Sequence, residues 1–181
     1  MAAGNRVIAD EDGDYPDWIE IHNPGTNAFN LIGWFLTDNA TNLSKWRFPS
    51  VNLAANGNLV VFASGKDRTA PRLHASFSLN AVGEFLALVQ PDGATIASQF
   101  APEYPAQIPG YSYGLFQGTN YYFAAPSPRT NNSPGLIARA PGTKFSVDRG
   151  FFDAPFNLVI TCETFAGGPA SGCQRRCEPD H

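Results

Sequence analysis

No segment of this chain keeps a helical repeat. Its apolar residues arrive in short runs closed by turn chemistry, and that pattern restricts the chain to β-structure. "DWIEIHN", residues 17–23, sets Trp18, Glu20 and His22 against Asp17, Ile19 and Ile21, the two-residue period of a half-buried strand, and Pro24-Gly25 ends it. "FNLIGWFLTDN" is apolar on both faces, with Gly33 inside it as a bulge or a close backbone approach. "KWRFP" places Trp46 and Phe48 opposite Lys45 and Arg47, and "LVVFAS" is short enough to be a core strand. "SFSLN" and "EFLALVQ" flank "AVG" as a hairpin, "PDG" leads into "TIASQF", and the aromatic strands "YSYGLF" and "YYFAAPSP" enclose "QGTN". Seven to nine such strands without a helix make an all-β sandwich.

The remaining composition narrows function. At 181 residues and 43% hydrophobic, the chain can bury one sandwich core and part of a second. Only 15% of residues are charged and the net charge is -4, so no global field draws the chain to phosphate backbones or anionic membranes. Its twelve Lys and Arg are scattered, with only Arg175 and Arg176 adjacent, and no nucleic-acid partner is expected. No run reaches the roughly 18 apolar residues of a membrane span, and no export signal is visible at the N-terminus.

The order of motifs is itself informative. "DGDYPDWIEIHNP", "NLIGWFLTDN", "KWRFP", "GNLVVFASGKD", "HASFSLNAVGEFLALVQPDG", "GYSYG" and "FAAPSPRTNNSPG" together resemble the lamin tail domain as it occurs in bacterial extracellular proteins, over about residues 9 to 135. The resemblance implies an immunoglobulin-like β-sandwich without a catalytic centre. It would serve as a binding or structural module of a secreted or cell-surface protein, contacting other protein domains, surface proteins or glycans. That family opens with an apolar strand before the acidic loop, and this chain begins "MAAGNRV", past that point. The first edge strand is therefore expected to be missing, which leaves a neighbouring strand unpaired and open to self-association. "FSVDRGFFDAPFNLVITCET" resembles the opening hairpin of a chitobiase C-terminal-like, or Fn3-associated, domain. The expected organisation is a sandwich at 1–137, a linker at 138–144 and, at 145–181, an incomplete hairpin with an irregular tail.

Three groups of residues carry the candidate chemistry. Asp10, Asp12, Asp14 and Asp17, with Glu11 among them and Gly13 allowing a sharp turn, have the oxygen-rich spacing that calcium favours; the plainer reading is a solvated strand-entry turn. A calcium-stabilised adhesion or carbohydrate-binding domain is the functional alternative that follows. Tyr111, Tyr113, Tyr121 and Tyr122 fall near strand ends, where a glycan or peptide could stack. Cys162, Cys173, Cys177 and His181 offer zinc donors at a non-standard spacing, or a disulfide with one thiol left over.

Catalytic patterns are absent. Beyond His181, only His22 and His74 could carry protons near neutrality, "FASGK" supplies a serine with no nucleophile elbow, and "SGK" lacks the upstream glycine of a phosphate loop. Glu84 and Glu103 are isolated in the sequence, so an enzyme is not expected.

Overall fold

A computed structural model describes Met1 and residues 6–135, 144–147 and 159–161. The chain divides into two units, Met1–Gly135 and Leu136–His181.

The first unit holds β1 (Asp17–His22), β2 (Phe29–Asn30), β3 (Phe35–Thr37), β4 (Trp46–Arg47), β5 (Asn52–Leu53), β6 (Asn58–Ala63), β7 (Leu86–Val89), β8 (Ile96–Phe100), β9 (Ser112–Phe116) and β10 (Thr119–Phe123). Antiparallel pairing gives one four-stranded sheet, β4-β3-β7-β8, and the two-stranded ladders β1-β6, β9-β10 and β2-β5. There is no helix among the described residues. The architecture is the immunoglobulin-like β-sandwich that the strand pattern implied.

Alternation decides what each strand buries. Ile19 and Ile21 of β1 point into the main core with Leu36, Trp46, Phe48 and Val61. Each fully buried side chain of this size is worth about 1.5–3 kcal/mol. Trp18 turns the other way and covers Phe62, its cross-strand partner on β6, with Ile8 and Val60 beside them. The β1-β6 ladder is thus apolar on both faces, because the segment that holds Ile8 covers the outer one.

Two pairings differ from the sequence reading. "FNLIGWFLTDN" is not one strand: Trp34 N–H donates to Leu31 O at 3.0 Å, and Gly33 adopts φ +80 inside the resulting turn. The turn separates β2 from β3 and leaves Ile32 exposed at its corner. Glycine adopts that φ without strain, and the surrounding apolar residues concealed the turn. Nor do "SFSLN" and "EFLALVQ" pair with each other. Gly65 N–H donates to Phe77 O at 3.1 Å and Ser64 bridges Ser78, so the first run joins the end of β6 while β7 lies between β3 and β8. A short apolar run encodes a face to bury, and leaves its neighbour unspecified.

In the second unit, β11 (Lys144–Phe145) and β12 (Ile160–Thr161) form an antiparallel ladder, prolonged by Ser146 N–H donating to Val159 O at 2.8 Å. Phe151, Phe152 and Phe156, and Cys162, Cys173, Cys177 and His181, lie outside the described residues.

Candidate functional site

The acidic loop is built around Asp10. Its Oδ1 accepts the amides of Asp12 (3.0 Å) and Asp14 (2.9 Å), while its own N–H donates to Asp14 O at 2.8 Å. Gly13, at φ +83, lets the chain close this tight a ring. The result is a carboxylate-centred turn whose second oxygen, Asp10 Oδ2, is left for a cation.

Lys66 supplies that cation. Its Nζ lies 2.6 Å from Asp10, 2.7 Å from Asp12 and 2.9 Å from Asp14, so each of the three ammonium protons meets a different carboxylate. Carboxylate oxygens of these three residues all lie within 4.8 Å of one another. Asp17 is not in that group; it heads β1, opposite Ala63. Arg68 adds a second positive charge, 2.7 Å from Asp12 and 3.6 Å from Glu11.

The electrostatics follow from this geometry. Burial pushes the Asp10 carboxyl up, but the hydrogen bonds from Lys66 and from the Asp14 and Asp12 amides outweigh it and hold the group below its usual range. Hydrogen bonds from Lys66 and then Arg68 do the same for Asp12, and Lys66 itself is held well above its ordinary value by the three aspartates.

Beside this cluster runs a second polar chain. His74 is fully buried, stacked on Phe62 with ring centroids 5.1 Å apart. One ring nitrogen, Nδ1, is 2.8 Å from Ser64 Oγ, and the other, Nε2, is 3.0 Å from Glu11 Oε2. Serine, histidine and carboxylate thus stand in line, the grouping from which nucleophilic catalysis is assembled. The imidazole has no exposed surface, however, and Ser64 Oγ also accepts the Lys66 amide at 3.3 Å. The arrangement pins the acidic loop to the strand segments behind it. Its members are far apart in sequence, and "FASGK" and "HAS" were its only sequence signals. Glu84 is likewise engaged, accepting the Asn80 amide (2.7 Å) and the Tyr104 hydroxyl (2.9 Å).

The tyrosines lie on and beside the β9-β10 hairpin. Tyr113 and Tyr122 are direct cross-strand partners, 4.9 Å apart, and Tyr113 also meets Phe100 of β8. Tyr121, one residue before Tyr122, projects to the opposite face, between Phe116 and Phe123. Tyr111 precedes β9. Leu115, on the same face as Tyr113, is 55% exposed at the rim of an apolar cleft of about 800 Å³.

These features define an all-β, immunoglobulin-like domain with an acidic loop bridged by Lys66 and Arg68 and an aromatic hairpin beside an open cleft. The chain belongs to the Lamin Tail Domain family, whose description matches residues 4–101. No curated protein and no solved structure matches the chain.

Proposed function

We propose that the first unit is a non-catalytic binding module that holds another polypeptide through the β9-β10 hairpin and the cleft beside it. The observation that carries this reading is the cleft itself: about 800 Å³, flanked by Tyr113 and the exposed Leu115, an apolar surface of the kind that marks contact sites. The polar clusters support it, since Lys66 engages the three carboxylates and His74 is buried away from solvent. Placement in a larger secreted or surface-attached bacterial protein, and glycan stacking at the tyrosines, belong to the same reading. Panning a displayed peptide library against the intact chain, in parallel with a glycan array, tests it. Peptides enriched on the native chain and lost on Leu115→Ser support the reading. Glycan hits alone, lost on Tyr122→Ala, would reassign the face to carbohydrate.

A second reading is that calcium takes the acidic loop when Lys66 withdraws, because three carboxylates already offer oxygens within 4.8 Å of one another. Thermal unfolding with calcium and with chelator tests it, as argued below.

A further inference from the structure

The line formed by Ser64, His74 and Glu11 has a chemical direction. The Glu11 carboxyl is held below its usual range, first by its hydrogen bond with His74, and an ionised carboxylate can only accept. His74 Nε2 therefore carries the proton and donates to Glu11 Oε2 at 3.0 Å. The neutral ring is left with Nδ1 as its acceptor, so the Ser64 hydroxyl, 2.8 Å away, donates to it. The Lys66 N–H donates to the same Oγ at 3.3 Å and steadies the charge that gathers there as the proton leaves.

Burial of the imidazole does not shut this serine in. Ser64 is half-buried and stands on the wall of an open pocket of about 360 Å³, with Tyr15, Pro16, Ala63, Lys66 and Ser78 around it. Its backbone is fixed: it follows β6 directly, bridges Ser78, and precedes Gly65, whose N–H donates to Phe77 O at 3.1 Å. An electrophile entering the pocket meets the hydroxyl from outside, while the base and its carboxylate act from within.

We infer that Ser64 is an acyl-accepting nucleophile, which takes one acyl group from a neutral, activated ester. Its Oγ bonds the carbonyl carbon, its proton passes to His74 Nδ1, and the bond to the alkoxide or phenoxide breaks, that group departing as the anion. Nothing is oxidised or reduced. The proton remains on His74, balanced by Glu11, and because the ring has no exposed surface it is not handed on to solvent. A protonated imidazole cannot activate water, so the acyl-serine persists and the reaction runs once. Asp10, Asp12 and Asp14 already engage the Lys66 ammonium, which leaves it little to offer a carbonyl oxyanion; hence the need for a good leaving group. Asp10, Glu11, Asp12 and Asp14 outnumber Lys66 and Arg68 beside the pocket, which disfavours an anionic donor. The reaction involves none of the hairpin residues and goes beyond the peptide-binding reading: it adds one covalent attachment, without turnover, to a binding module.

The test mixes the full chain with p-nitrophenyl acetate. A burst of one nitrophenolate per chain is expected, with the acetyl group mapped to Ser64 by peptide mass spectrometry and released by hydroxylamine, as an ester is and a lysine amide is not. Ser64→Ala should abolish the burst. Glu11→Gln keeps an oxygen for the Nε2 proton and loses only the charge, and should slow the burst at least about tenfold. A link that served only to pin the loop would leave that rate unchanged. p-Nitrophenyl succinate, an anion with the same leaving group, should react at least about fivefold more slowly. Acetylation confined to lysines or tyrosines, equal labelling of Ser64 in the urea-unfolded chain, an unchanged rate in Glu11→Gln, or steady turnover overturns the proposal. Peptide binding at the hairpin is untouched by any of these results, so the two readings fail separately.

Discussion

Lys66 Nζ lies 2.6 Å from an Asp10 carboxylate whose side chain has no exposed surface, although 55 residues separate the two in the chain. The ion pair ties the loop ahead of β1 to the segment after β6. Removing one partner of such a pair leaves the other charge buried and unmatched. Lys66→Met should lower the unfolding midpoint, and calcium should then restore part of it by entering the vacated carboxylate ring. In the native chain calcium should leave the midpoint unchanged, because Lys66 already fills that place. Thermal unfolding with calcium and with chelator checks both. A calcium-dependent rise in the native chain would mean that the ion displaces Lys66.

Acid should unfold this domain through the same cluster. Asp10, Glu11 and Asp12 are all held below their ordinary values of 3.8, 4.5 and 3.8. For Glu11 the first cause is its hydrogen bond with His74. A carboxyl depressed in the folded state contributes stability that is fully present above its unfolded pKa and is lost as pH falls through the folded one. The contribution of these three carboxylates should therefore be level above about pH 5 and fall steadily below about pH 4. Glu20 works in the opposite sense, since burial raises it, and its protonation softens the fall. Urea midpoints measured across this range should show a shallower acid limb in Lys66→Met than in the native chain.

Gly83 should tolerate no side chain. Its φ of +116 is unsuited to L-residues, and an added Cβ would sit 2.3 Å from Tyr104 O. The Gly83 Cα that would carry it and Tyr104 O both belong to backbone held by the Tyr104 N–H bond to Glu84 O at 2.9 Å, so neither can yield easily. Gly83→Ala should cost more than about 3 kcal/mol in urea unfolding. Tyr104→Phe, which loses only the hydroxyl bonds to Asn80 O and Glu84, should cost about 1–2 kcal/mol.

Phe62 should matter beyond its own volume. It covers Trp18 on the outer face of the β1-β6 ladder and stacks on the His74 ring that links Ser64 to Glu11. Phe62→Ala should cost about 3–5 kcal/mol. It should also perturb the His74 ring signals in a histidine NMR spectrum, whereas loss of apolar area alone would leave them in place.

Much of the sandwich was legible before any coordinates, and the reasons are local. Trp46 and Phe48 alternate with Lys45 and Arg47 over so short a span that only a half-buried strand satisfies them, and the structure buries the two aromatics. "QGTN" and "PDG" name their turns through residues that accept the required φ. The breaks inside "FNLIGWFLTDN" and between "SFSLN" and its supposed partner were hidden, because both depend on which edge was free to receive an apolar run.

The candidate site divides along the same line. The sequence by itself offered Asp10, Asp12 and Asp14 at alternate positions around Gly13, and the aromatic runs on either side of "QGTN". Only the tertiary structure decided that the cation among those carboxylates is Lys66, and that Ser64, His74 and Glu11 stand in line. Turn chemistry is settled by neighbours in the chain. Charge pairing and edge pairing are settled by whichever distant segment packing brings within about 3 Å, and no local pattern records that distance.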